Sequence, residues 1–132
     1  MKANPEGNIR MILSKVALEL ILLFLLLVIL LHLRQPQFRV FEMPLSRYGL
    51  KGEGFLFRIT LYMIGLAELL LAWKLRSMSI RTPATLLFIM SFSAFAAGTF
   101  SMDHTAEVTA AGLVHTWSAF LQFALFPVLI AT

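Results

Sequence analysis

The chain has 132 residues, of which 59% are hydrophobic and only 14% are charged. Soluble domains carry roughly 25% charged residues, so this composition excludes an ordinary water-soluble globule and predicts surfaces that face lipid or other membrane chains. The absence of cysteine excludes disulfides, thiolate metal sites and cysteine nucleophiles. The net charge of +4 does not indicate nucleic-acid binding, because the basic residues flank apolar segments, where phospholipid headgroups account for them.

The first predicted element is a membrane-spanning helix over residues 16–33. Its sequence, VALELILLFLLLVILLHL, gives a helix about 27 Å long, which matches a hydrocarbon core of about 30 Å. The run is longer than the apolar part of a signal peptide, and no small-x-small cleavage site follows it, so we interpret it as a signal anchor. Glu19 lies one turn inside Lys15 and is predicted to pair with it.

A polar connection rich in proline and glycine follows over residues 34–54, and a short piece of it is expected at the membrane surface. Three further spans are predicted over residues 55–73, 84–100 and 108–131. The short turns between them imply antiparallel neighbours. The predicted fold is therefore all-α, a transmembrane four-helix antiparallel bundle forming a single domain over residues 1–132.

Two features concern the ends of these spans. Thr82 and Pro83 are predicted as the N-cap and first-turn proline of the third span. The chain stops at Thr132 without the polar flank that most membrane helices have, so we expect the natural protein to continue past this point.

The basic residues on the two sides of the predicted spans are nearly balanced. One side holds Lys2, Arg10, Lys15, Lys74, Arg76 and Arg81, and the other holds Arg34, Arg39, Arg47, Lys51 and Arg58. The segment over residues 101–107 has no Lys or Arg, which favours placing it outside. We therefore predict a cytoplasmic N-terminus.

Three of the predicted spans carry a stripe of small and polar residues at helical spacing, and these stripes are expected to face one another because polar groups find no partners in lipid. Ala94-x-x-x-Gly98 is a small-x-x-x-small contact pattern. The stripes are Arg58, Tyr62, Gly65, Glu68 and Ala72; Ser91, Ala94, Gly98 and Ser101; and Ala111, Gly112, His115, Ser118, Ala119 and Gln122.

Glu68 and His115 are the most informative ionisable residues. Counted from Arg58 and Glu107, they fall within about one helical turn of each other in depth, so we predict that they face the bundle interior and lie in contact or one water apart. A structural hydrogen bond is the favoured role, with a proton path or a ligand contact as alternatives. The predicted structural polar core consists of Glu68, His115, Gln122, Arg58 and Asp103, in which Asp103 caps the fourth helix or pairs with Arg58.

No catalytic or metal-binding motif is visible. Asp103, His104 and Glu107 lie close together in sequence, but no spacing comparable to H-E-x-x-H converges enough ligands. Ser101, Asp103 and His115 invite comparison with membrane metal hydrolases of the alkaline ceramidase type, but the second histidine pair of those enzymes is missing. Ala111-x-x-x-His115 with Trp117 resembles the bacteriochlorophyll-binding helix of bacterial light-harvesting polypeptides, which makes His115 the candidate cofactor-binding residue, with bacteriochlorophyll or lipid as the candidate ligand.

From about Pro44 onward the sequence resembles the domain-of-unknown-function 998 family of multi-span membrane proteins. The resemblance rests on Ser46 and Gly49 before an apolar helix, on AAGTFSMD (residues 96–103), and on AAGLVHTWSAFLQFALFPVLIA (residues 110–131) with its Gly-x-x-His motif. Ser101-Met102 replaces the proline usual before the acidic residue, and the fifth and sixth helices of the family have no counterpart. The resemblance implies a multi-span fold and no established activity.

These observations favour a non-catalytic accessory subunit of a larger membrane protein complex, with other membrane subunits and lipid as partners, no cofactor, and no nucleic acid. A pigment- or lipid-binding subunit using His115 is the alternative, followed by an intramembrane enzyme or transporter. The family resemblance implies a bacterial inner membrane as the location.

Overall fold

A computed structural model describes residues 5–35, 48, 54–103 and 107–132. The regular elements within these residues are four helices: α1 (Pro5–Arg34), α2 (Gly54–Ser77), α3 (Arg81–Thr99) and α4 (Ala110–Ile130). Each is long and apolar enough to cross a membrane. The predicted all-α fold with four spanning helices is therefore confirmed, whereas the surface piece expected within residues 34–54 falls outside the described residues.

Helix α1 begins at Pro5 rather than at Val16 and contains 30 residues, which gives it a length of about 45 Å. The added part begins with polar residues, and an ion pair supports its first turns: Arg10 lies 3.4 Å from Glu6 at i, i+4 spacing. Arg10 Nη2 also donates to the Ser77 carbonyl, 2.8 Å away at the end of α2. Hydropathy predicted only the part of α1 that fits inside the hydrocarbon core.

Helices α1 and α2 pack antiparallel. Arg10 meets Ser77 at one end, and Leu31, Tyr48 and Phe57 form a buried cluster at the other. The His32 Nδ1 and Tyr48 hydroxyl atoms are 2.9 Å apart beside this cluster. We call the end at which Arg10 meets Ser77 the amino-terminal end; the α2–α3 turn lies there too. We call the end with the Leu31, Tyr48 and Phe57 cluster the loop end; the link between α3 and α4 lies there too.

The turn from α2 to α3 is a Schellman motif. Ile80 N donates to Leu75 O at 3.0 Å and Ser79 N donates to Arg76 O at 3.1 Å, with Ser79 in the left-handed region at φ 63°. Helix α3 therefore begins at Arg81, with Ile80 at the N-cap and no capping side chain. The prediction that Thr82 is the N-cap is wrong, because the helical turn already includes Thr82 and Pro83.

Helices α2 and α3 make the most extensive contact, while α1 packs on α2 and α4 packs on α3. The contact between α2 and α3 depends on small residues, as their stripes predict. Ser91 Oγ donates to Gly65 O at 2.7 Å, and a Cβ added at Gly65 would lie 3.2 Å from the Ala94 Cβ. Gly98 packs in the same way against the ring of Tyr62.

Helix α4 begins at Ala110, after Thr109 at the N-cap, whose hydroxyl accepts a hydrogen bond from Gly112 N at 3.0 Å. The predicted polar stripe is the face that packs inward. Gly112, His115 and Ser118 are buried, and Ala111, Ala119 and Gln122 are half-buried. The remaining surface of α4 is apolar and open, with Trp117 and Phe120 in an edge-to-face pair.

Candidate functional site

The interior of the bundle holds a buried carboxyl group on α2. Glu68 is 5% exposed, and its Oε1 atom accepts a hydrogen bond from Gln122 Nε2 on α4. This bond joins two helices that are not primary packing partners. The other two oxygens of the pair, Glu68 Oε2 and Gln122 Oε1, are buried without a partner among the described residues.

Helix depth explains why Glu68 meets Gln122. Glu68 lies about 21 Å along α2 from Gly54, and Gln122 lies about 18 Å along α4 from Ala110, so the two are at nearly the same level. His115 is only about 8 Å along α4. The depth expected from the sequence starts at Glu107, but residues 107–109 are not helical.

His115 ties α4 to the end of α3. It is 4% exposed, and its Nδ1 atom lies 2.9 Å from Ala97 O and 3.0 Å from Phe100 O. Because both partners are carbonyl oxygens, Nδ1 carries the proton and donates. Carbonyl groups in the last turn of a helix lack intrahelical partners, and His115 supplies a donor for them.

The predicted inward orientation of Glu68 and His115 is confirmed by their burial. The prediction that they lie in contact or one water apart is wrong, since Glu68 bonds to Gln122, His115 bonds to the end of α3, and the two differ by about 13 Å in depth. The sequence predicts that both side chains are buried, because an ionisable group within a membrane span needs partners. It does not predict which residues those partners are, because that depends on where α4 begins.

A pigment at His115 would bind through Nε2, the nitrogen left free by the Nδ1 hydrogen bonds. Backbone carbonyls that fix the other nitrogen are typical of metal-ligating histidines. Nε2 is nevertheless enclosed by protein and has no partner among the described residues. A flat macrocycle needs open space on that nitrogen, so the observed packing does not fit an axial ligand role for His115.

Arg58 and Asp103 lie at the loop end, apart from Glu68 and Gln122. Arg58 is exposed and donates to Ser101 Oγ at 2.9 Å, so its predicted place in the polar core is wrong: it falls in the first turns of α2. Asp103 accepts hydrogen bonds from the Thr109 backbone N–H, at 3.0 Å, and from the Thr109 hydroxyl. Asp103 thus holds Thr109, and Thr109 is the residue that caps α4.

No group of three or more His, Asp or Glu side chains that could hold a metal ion occurs in the part of the chain that the structure describes. His104 lies outside that part. A cleft of about 290 Å³ opens instead between α1 and α2 at the amino-terminal end. It is lined by Glu6, Ile9, Arg10, Leu13, Trp73 and Ser77.

Glu19 lies on the open face of α1 and is exposed. The predicted ion pair with Lys15 is wrong, since the side chains do not come within bonding distance and neither has another partner among the described residues. The order Lys before Glu is the less favourable one at i, i+4 spacing, and lysine at a membrane boundary extends toward the headgroups. A charged group within a membrane helix costs about 2.5 to 3.5 kcal/mol, so a lone Glu19 is unexpected.

The family model described as protein of unknown function (DUF998) matches residues 21–132. The chain belongs to this family. The match begins inside α1, ahead of the family motifs that start near Pro44, and it covers Glu68, His115 and Gln122. No curated protein and no solved structure matches the chain.

Proposed function

We propose that the chain is a non-catalytic accessory subunit of a larger membrane protein complex. One observation carries the proposal: each buried polar side chain singled out as a candidate site is used to join helices. Glu68 and Gln122 join α2 to α4, and His115 joins α4 to the end of α3. Among the described residues, these three side chains are therefore engaged in contacts between helices.

The proposal also agrees with the shape of the packing. Helix α1 packs mainly on α2 and α4 mainly on α3, so each of these two outer helices keeps an open face. Both faces are long, and that of α4 is rich in aromatic residues. Surfaces of this kind suit contact with neighbouring membrane subunits as well as lipid.

A bacterial inner membrane with the N-terminus in the cytoplasm is the proposed location. The basic residues of the two ends are nearly balanced, so the orientation rests on residues 101–107 between α3 and α4, which include no Lys or Arg, whereas cytoplasmic segments carry an excess of both. The described basic residues at the amino-terminal end are Arg10, Lys15, Lys74, Arg76 and Arg81.

The test is purification of the tagged chain from its native membrane in mild detergent. We expect one or more membrane proteins at fixed stoichiometry after quantitative mass spectrometry, compared with an unrelated four-span protein carrying the same tag. A lone chain that keeps its fold and yields no stoichiometric partner would contradict the proposal.

The same sample separates the accessory role from the pigment alternative. Absorbance in the red region, lost in the His115→Leu variant, would instead support pigment binding and would require Nε2 of His115 to become uncovered. We expect no such absorbance.

A further inference from the structure

The open face of α1 follows a regular pattern. Val16, Glu19, Leu23, Leu26 and Leu30 recur at alternating steps of three and four, and all five are exposed. This 3.5-residue period is the one by which two helices pack along a continuous seam. On the opposite side of α1, Ala17 and Leu31 are fully buried.

Glu19 interrupts this seam within the membrane. Arg10 meets Ser77 at the amino-terminal end, and Glu19 lies about 14 Å further along α1 from that level. Exposed Trp73 on α2 marks the membrane boundary, as aromatic residues commonly do. Glu19 is thus deeper than both Trp73 and Lys15, by about 6 Å in the case of Lys15.

We infer that this face of α1 is the docking surface for a transmembrane helix of a different chain that carries one Lys or Arg at the depth of Glu19. The inference rests on the proposed accessory function and names the chemistry of the partner. Lipid tails cover the leucines but offer nothing to a carboxyl group at this depth. A cationic side chain opposite Glu19 supplies a charge-assisted hydrogen bond and fixes the register of the two helices.

A second copy of this chain fits the same face poorly. Copies in one membrane share the same orientation, so a symmetric pair of α1 helices would bring Glu19 against its own equivalent. Neither carboxyl group of such a pair supplies a cation to the other. A basic residue must therefore come from another sequence.

The experiment uses the full chain in its native membrane with a photo-crosslinking amino acid at Leu22, which is 57% exposed and lies one turn from Glu19. We expect an adduct whose partner peptide contains a membrane helix with Lys or Arg at the matching depth. The yield should fall at least tenfold in the Glu19→Gln variant. Glu6→Gln, which changes a glutamate of the same helix outside the apolar segment, should leave the yield unchanged.

A second crosslinker at Phe123 on α4, which is 74% exposed, monitors a separate surface and shows that the variants are folded. A Leu22 adduct of equal yield in Glu19→Gln, an adduct with a second copy, or a partner helix without a basic residue would overturn the inference. An adduct at Phe123 but none at Leu22 would overturn it while leaving the accessory function standing. No adduct at either position would contradict both.

Discussion

The hydrogen bond between Glu68 and Gln122 joins α2 to α4 inside the bundle. Removing either partner leaves the other buried without it, which costs about 1 to 3 kcal/mol. We expect Gln122→Leu and Glu68→Leu each to lower the free energy of unfolding by about this amount, measured by SDS titration in mixed micelles.

The double variant tests whether the two side chains act as a pair. Because neither polar group is then left alone, its cost should be smaller than the sum of the two single costs, by about 0.6 to 1.7 kcal/mol. Purely additive costs would show that the bond does not contribute to folding.

His115 should be replaceable by a residue that keeps its donor. In His115→Leu, the Ala97 and Phe100 carbonyls lose the Nδ1 hydrogen, and we expect a loss of about 1 to 3 kcal/mol in the same SDS titration. The amide of asparagine can donate from nearly the position of Nδ1, so His115→Asn should recover at least half of that loss. Equal stability of the two variants would argue against a role for this hydrogen bond.

For single residues, the sequence predicts which side chains are buried better than it predicts their hydrogen-bond partners. Glu68, His115 and Gln122 lie on inward stripes because an ionisable or amide group in lipid needs a partner. Their pairing depends on the start of α4 at Ala110, which is set by Asp103 and Thr109 rather than by the apolar run. The exposure of Glu19 is not visible in sequence at all, because either face of a uniformly apolar helix can pack.

At the scale of elements, the turn between α2 and α3 holds a residue in an unfavourable conformation. Ser79 has φ 63°, a left-handed position in which glycine is usual at this point of a Schellman motif. We expect Ser79→Gly to raise the free energy of unfolding by about 0.5 to 1 kcal/mol. Ser77→Gly, in the last turn of α2, should lower it by about the same amount. If both substitutions raised the free energy of unfolding, or both lowered it, the left-handed conformation of Ser79 would be contradicted.

The contact between α2 and α3 should be intolerant of added volume. A Cβ at Gly65 would lie 3.2 Å from Ser91 O as well as from the Ala94 side chain. We expect Gly65→Ile to cost about 1 to 3 kcal/mol or more, because overpacking forces the helices apart. Leu66→Ile on the adjacent exposed position is the matched control and should change stability by less than about 0.5 kcal/mol. Equal losses of stability in Gly65→Ile and Leu66→Ile would contradict the close packing of α2 against α3 at Gly65.

Helix existence followed from hydropathy, but helix ends did not. The polar first turns of α1 continue the helix because Glu6 and Arg10 bridge successive turns, which an apolar window does not register. Thr82 resembles an N-cap by residue type, yet the Schellman turn places Ile80 at that position. Local backbone hydrogen bonds decide where these helices begin, and alternative start positions differ in free energy by only about 1 kcal/mol.

At the scale of the whole molecule, the four helices run in alternating directions along the bundle. This places Pro5, the α2–α3 turn and Ile130 at one end of the bundle, and the α3–α4 link at the other. The family assignment agrees with a multi-span protein but leaves its activity open.

The chain has no cysteine, so single cysteines can be introduced without background and labelled by a membrane-impermeant maleimide in sealed vesicles of either orientation. We predict that Asn8→Cys, Met78→Cys and Thr132→Cys react from one side, and Glu107→Cys from the other. Labelling of Thr132→Cys from the side opposite to Asn8→Cys, or of Met78→Cys and Glu107→Cys from the same side, would contradict the four-crossing bundle.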